Sequence, residues 1–221
     1  TPTGDMLRFP ASAFVRFFDN HGLLSVRGQP QWLTVKGGSQ TYVNRILEQV
    51  SSDVRLSCPV YSVRRGTDFI LIASPRGEER FDRVVFATHA PQALAMLQDA
   101  DKDETAILGA LRTQANRMVL HSDLRLMPRR RAVWASWNYV TQGTTPTTDQ
   151  PISLSYWMNR LQNLETPRPL IVTLNPEIEP MHVHDEARFA HPQCDAAAIT
   201  AQARLSEIHG CGGVHYAGAW K

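Results

Sequence analysis

Apolar positions recur at two spacings along this chain, and the switch between them separates helices from strands. Phe14, Phe17 and Phe18 stand at i, i+3 and i+4, which predicts a short helix over 11–19 before a turn at Asn20-His21-Gly22. Tyr42, Val43, Ile46, Leu47 and Val50 repeat the helical spacing over 40–50. Gly37-Gly38 allows the sharp turn before that helix, and Ser39 is the expected N-cap. Shorter runs at 54–56, 59–65 and 69–73, bounded by Gly, Pro, Asp or Ser, predict strands, with a turn at Arg76-Gly77-Glu78. A further strand is expected over 80–87, where Val84-Val85-Phe86-Ala87 is apolar on both faces, as in a layered α/β sheet. Pro91 then opens a helix over 90–97.

Beyond residue 100 the pattern changes to longer strand candidates. Asp101 and Glu104 form a capping-box pair that starts a helix running to Leu111. Strands are predicted over 117–122, 132–141, 152–158 and 170–174, an aromatic-rich antiparallel block with a Thr- and Pro-rich loop at 143–151. A last helix over 196–208 follows an Asp195 cap, with Ala198, Ala201, Leu205 and Ile208 on one side. A strand ending in a Gly-containing turn closes the chain over 212–220.

Bulk properties narrow the classes. A length of 221 residues allows one large domain or two interleaved ones, and 43% hydrophobic with 20% charged residues indicates a folded chain without a membrane span. A net charge of +2 gives no footprint for nucleic acid or an anionic membrane, and Arg129-Arg130-Arg131 reads as a solvated turn. Cys58, Cys194 and Cys211 have no C-x-x-C spacing, which fits a reducing cytoplasm and gives no metal site. His182 and His184, in a Pro- and acid-rich stretch taken as loop, lack a third ligand nearby. The first residue is Thr and the last three are Ala-Trp-Lys, so the chain is expected to be a piece of something longer.

The order Gly37-Gly38, Pro59-Val60, Asp82 and Ala87 to Pro91 resembles the flavin-containing amine oxidase superfamily over some sixty residues. The second half resembles its branch of predicted NAD/FAD-binding, FAD-dependent oxidoreductases. The stretches that carry this likeness are Leu120-His121-Ser122-Asp123, Met127-Pro128-Arg129-Arg130, Trp134 to Tyr139, Tyr156 to Gln162 and Tyr216-Ala217-Gly218-Ala219-Trp220. The resemblance implies an α/β (α+β) fold, a partial FAD-binding domain with an inserted antiparallel-sheet substrate domain. Its expected divisions are 1–34 as a helical substrate-side segment, 35–97 and 190–221 as FAD-binding, and 98–189 as the substrate domain. It also implies FAD as cofactor, with Val60, Ala87, Thr88, Gly218 and Trp220 around it, and hydride transfer to or from an apolar, lipid-like or amine substrate. The chain has no G-x-G-x-x-G, so the phosphate cradle would come from a missing N-terminal part of the same protein.

For the substrate side, alternation along the strands puts a subset of Trp134, Trp137, Tyr139, Tyr156 and Trp157 on one face. That face is either a stacked core or a pocket in which Asn138, Asn159 or Arg160 orients a ligand. The Phe14, Phe17 and Phe18 face likewise reads as core, with the wall of an apolar channel as the alternative. The start of the helix after Gly38 reads as a turn or as an anion site, and His121 with Asp123 as structural or as an acid/base pair. No G-x-S-x-G is present, the cysteines have no placed partner, and no catalytic residue is assigned. The competing class is a binding or scaffolding module that keeps the fold without flavin chemistry.

Overall fold

The computed structural model describes residues 9–28, 30–139, 153–218 and 220. The chain folds as a mixed α/β (α+β) protein in two compact units, 1–52 with 115–190 and 53–114 with 191–221. The units part at 52/53, 114/115 and 190/191, and the divisions that the resemblance implies are 34/35, 97/98 and 189/190. The loop expected at 143–151 lies outside the described residues.

The second unit begins with a three-stranded antiparallel meander of β1 (Ser62–Arg65), β2 (Ile70–Ser74) and β3 (Gly77–Phe81). Residues 54–56 are not a strand. They form an irregular approach in which Arg55 is tied to Asp53 and Glu79 at 2.6 Å each. The strand expected over 80–87 divides, because Asp82-Arg83 interrupts it before β4 (Val84–Phe86). β4 pairs in parallel with β10 (Val214–Tyr216), Phe86 lying opposite Tyr216. Val85 is 59% exposed, so β4 is not buried on both faces as its apolar run suggests.

Helices α3 (Ala90–Met96), α4 (Lys102–Ala110) and α6 (Ala196–Ile208) cover this unit's core. The Asp101 and Glu104 capping box is complete in both directions, and Asp195 caps α6 through the Ala198 N–H. Ala198, Ala201, Leu205 and Ile208 of α6 are all buried, as their spacing requires, against Ile107, Leu108, Val214 and Tyr216. Each large side chain among these contributes roughly 1.5–3 kcal/mol by leaving water. Glu104 is buried among them as a charge, but it is fully partnered. The Tyr216 hydroxyl donates to its Oε1 at 2.8 Å, the Asp101 N–H donates to its Oε2 at 3.1 Å, and Arg65 pairs with it.

The first unit holds α1 (Ala11–Asn20), α2 (Ser39–Gln49) and a five-stranded sheet ordered β6-β7-β8-β5-β9. Its strands are β5 (Thr113–His121), β6 (Trp137–Tyr139), β7 (Leu154–Trp157), β8 (Ile171–Leu174) and β9 (Val183–Pro192). Gly38, at φ +81°, occupies the N-cap position expected for Ser39, which becomes the first residue of α2. Residues 131–133 form a 3-10 turn rather than the start of a strand, and a short α5 (Met158–Leu161) follows β7 directly. β9 replaces the expected loop around His182 and His184. It is an edge strand, mostly exposed and rich in charge, so it has no apolar period to betray it. Among the described residues no helix is long and apolar enough to cross a membrane.

Candidate functional site

In a parallel sheet, ligands bind beyond the carboxyl ends of the strands. In the second unit the parallel pairing of β4 and β10 puts the two segments that leave those ends side by side. The Ala217 N–H donates to the Phe86 carbonyl at 2.8 Å, and the Trp220 indole N–H donates to the Thr88 carbonyl at 2.7 Å. Trp220 is 3% exposed and lies near the Tyr216 ring, with its own carbonyl held by Gln202 at 2.9 Å. Gly218 is required here: a Cβ would stand 2.0 Å from Trp220 Nε1 and 2.5 Å from the Thr88 carbonyl.

Thr88, Gly218 and Trp220 are thus joined in one contact, with Ala87 and Thr88 exposed beside it. Val60 lies on the approach to β1, 38% exposed, and belongs to the meander rather than to the parallel pair. Ala87 and Thr88 are exposed residues, the Thr88 carbonyl being taken by Trp220, and Val60 presents an apolar side chain. Gly218 and Trp220 serve to set the loop, because the indole itself fills the space that the glycine leaves. The phosphates of a dinucleotide would need a cradle from elsewhere.

Of the six expected pocket residues, Trp137, Tyr139, Tyr156 and Trp157 lie on the sheet of the first unit, Trp134 precedes β6 and Asn159 lies in α5. Directly paired residues share a face, so Trp137 and Tyr139 of β6 lie with Tyr156 and Leu154 of β7. This face is half-open, with Trp137 48% and Tyr139 51% exposed. Trp137 meets Tyr156 at 6.3 Å and Trp32 at 6.4 Å between ring centroids. From Trp32 the ring contacts continue through His21 and Phe17 to Phe18 and Phe14 of α1. Phe14 and Phe17 are each 48% exposed, so the helix face expected in the core is not buried.

Trp134 and Trp157 do not join that row. They meet edge to face at 5.2 Å in the small core of Met127, Trp134 and Ile171, where Trp134 Nε1 donates to the Pro128 carbonyl at 2.7 Å. Arg131 stacks over Trp134, so one member of the arginine run is engaged rather than purely solvated. Asn159 is occupied in shaping the loop after α5. Its amide donates to the Leu164 carbonyl and to Thr166 Oγ1, and its oxygen accepts the Leu170 N–H at 2.7 Å.

On the buried face Asn138, Ser155, Thr173 and His121 form a polar ladder that sequence reading does not anticipate. Ser155 Oγ is 2.8 Å from Thr173 Oγ1, and Thr173 Oγ1 is 2.8 Å from His121 Nε2. Small polar residues at alternate positions in three strands are the signal that could have revealed it. Asp123, beyond the end of β5, caps the next turn through the Arg125 N–H and pairs with the Arg125 guanidinium, which holds its carboxyl well below the ordinary range. His121 and Asp123 are therefore committed to structure. Among the described residues no group of three or more His, Cys, Asp or Glu could hold a metal ion, and all three cysteines are free thiols.

Residues 7–115 match the family model of flavin containing amine oxidoreductases, the superfamily that the motifs of this stretch resemble. Among solved structures, the putative protoporphyrinogen oxidase from Exiguobacterium sp. 255-15 is similar at a TM-score of 0.63 and 17% identity, over 94% of this chain and 52% of that one. The CLA-producing fatty acid isomerase from P. acnes is similar at 0.58 and 13% identity, over 82% and 47%. Cyclohexylamine oxidase from Brevibacterium oxydans IH-35A is similar at 0.55 and 12% identity, over 91% and 51%. These likenesses are of fold, and the chain spans about half the length of each structure. No curated protein matches the chain in sequence.

Proposed function

We propose that this chain is part of an FAD-dependent oxidoreductase, with the second unit on the cofactor side and the first on the substrate side. The observation that carries this reading is the Trp220 to Thr88 hydrogen bond, which closes two segments at the carboxyl end of a parallel strand pair. Val60, Ala87 and Thr88 would flank the dinucleotide, and Gly218 and Trp220 would fix the loop beside it. FAD, when bound, supplies the hydride chemistry; the protein positions it and excludes water. The half-open face of Trp137, Tyr139 and Tyr156 suits an apolar substrate, lipid-like as for the fatty acid isomerase or an amine as for cyclohexylamine oxidase. A phosphate-binding N-terminal part of the same protein would complete the site, and free thiols at Cys58, Cys194 and Cys211 suit a cytoplasmic location.

The test is to express the longer parent reading frame, supply FAD, and record the visible spectrum. An oxidised-flavin spectrum that stays with the protein through gel filtration is the expected result. A folded parent that remains colourless would overturn the reading in favour of a binding or scaffolding module. The observation on that module's side is that Trp220 and Gly218 are already satisfied by protein contacts.

A further inference from the structure

We propose that His121 is a pH-sensitive latch whose neutral ring fastens residues 179–184 to the end of β5 and whose protonation releases them. The ring is wholly buried, and both nitrogens are engaged. Nδ1 receives the backbone N–H of Asp123 at 3.0 Å. A backbone N–H only donates, so Nδ1 carries no proton, and the hydrogen of the neutral ring sits on Nε2, which donates to Thr173 Oγ1. The Thr173 hydroxyl is then free to donate to Ser155, which gives the ladder one direction.

What the ring holds is the residue that holds the neighbouring segment. Asp123 Oδ2 accepts the Met181 N–H at 2.8 Å, Arg125 reaches the Glu179 carbonyl at 3.2 Å, and the Ser122 N–H reaches the His182 carbonyl at 3.2 Å. Ser122 Oγ also meets His184 Nε2 at 2.8 Å. His182 is kept at φ +54°, a left-handed conformation that is uncommon for a side chain with a Cβ. These bonds converge on Ser122, Asp123 and Arg125.

A proton on Nδ1 would set two donors against each other at the distance of the present bond, in a wholly buried site. The charged groups around the ring decide where it turns. Asp123 and Arg125 lie on its own side, Glu179 and His182 in the fastened segment, and His184 and Glu186 on β9, with Arg117 of β5 already paired to Glu179 and Glu186. Asp123 is the carboxylate whose charge acts on the ring, and a carboxylate drawn to an imidazolium leaves the Met181 N–H unpartnered. Burial holds the His121 pKa below its ordinary 6.5, with Asp123 opposing and His184 reinforcing, so release belongs below that pH.

The experiment is hydrogen exchange on the full chain at pH 7.5 and pH 5, read as protection factors so that the intrinsic pH dependence of exchange cancels. Protection of the Met181 amide is expected to fall at least tenfold at the lower pH, while amides of β8 keep theirs. In His121→Asn the amide oxygen accepts the Asp123 N–H without titrating, and Met181 protection is expected to be equal at both values. Independently of that variant, the 15N shift of His121 Nδ1 should titrate with the same midpoint as the loss of protection. Equal protection at both pH values in the unaltered chain, a fall that persists in His121→Asn, or midpoints that disagree would overturn the latch.

Discussion

The two units solve the problem of burial in opposite ways. The second unit buries Ile107, Leu108, Ile208 and Val214 and admits one charge, Glu104, whose oxygens are met by Tyr216, Arg65 and a backbone N–H. The first unit buries Asn138, Ser155, Thr173 and His121 on one sheet face and leaves Trp137 and Tyr139 half-exposed on the other. Val119, Trp157 and Ile171 share that buried face, so the polar ladder is set within an apolar layer while the opposite face shows its aromatic side chains. The difference teaches that the second unit closes its apolar side chains into one core, while the first leaves aromatic side chains in the open.

The largest effect should come from the buried charge. Replacing Glu104 by Ala leaves the Tyr216 hydroxyl without its acceptor and Arg65 with Asp99 as its remaining anion, and is expected to cost about 3 kcal/mol, the low end for breaking a buried pair. Glu104→Gln keeps the shape and one acceptor oxygen and should cost less, about 1–3 kcal/mol. Trp220 is the only tryptophan between 53–114 and 191–221, so variants with the other four replaced by Phe would report this unit's urea transition alone. If Glu104→Ala unfolds at the same denaturant concentration as its parent, the second unit does not depend on that network.

A smaller loss is expected from the polar ladder. Thr173→Val keeps the size of the side chain but strips the His121 Nε2–H and Ser155 Oγ of their shared partner, at a cost of about 1–3 kcal/mol. The loss should appear in the first unit's transition and leave the Trp220 signal in place. A neutral result would mean that the buried face tolerates an apolar replacement, and the contrast between the units would then rest on the aromatic face alone.

How much of this was legible follows from where local rules decide the outcome. The Asp101 and Glu104 box, the Asp195 cap and the buried side of α6 follow from spacing, because a cap and an apolar stripe are made within one turn or two of chain. The break at Asp82-Arg83 and the 3-10 turn at 131–133 are not legible because each borders an apolar stretch, Val84 to Ala87 and Ala132 to Trp134, that a strand would also satisfy. β9 was missed for the opposite reason, since an exposed edge strand needs no apolar alternation. Of the candidate site, the grouping of Thr88, Gly218 and Trp220 was legible only through family resemblance. The sorting of Trp134 and Trp157 into core, and of Trp137 and Tyr156 onto the open face, needed strand register, which single-sequence alternation cannot supply across a turn.

The smallest effect tests the exposed apolar surface directly. Among the described residues helix α1 has no buried residue, and the Phe17 ring meets those of Phe18 and His21. Serine and phenylalanine differ little in helix propensity, so Phe17→Ser removes half-exposed ring contacts and little else, and should change stability by no more than about 0.5 kcal/mol. The same substitution should weaken adsorption of an apolar fluorescent dye, because it deletes exposed aromatic surface from the row that runs from Phe14 to Tyr156. A stability loss above about 1.5 kcal/mol, of the size expected for burying a phenylalanine, would mean that this face is packed in solution. In that case α1 belongs with the closed core rather than with the open sheet, and the contrast between the units narrows to their buried polar groups.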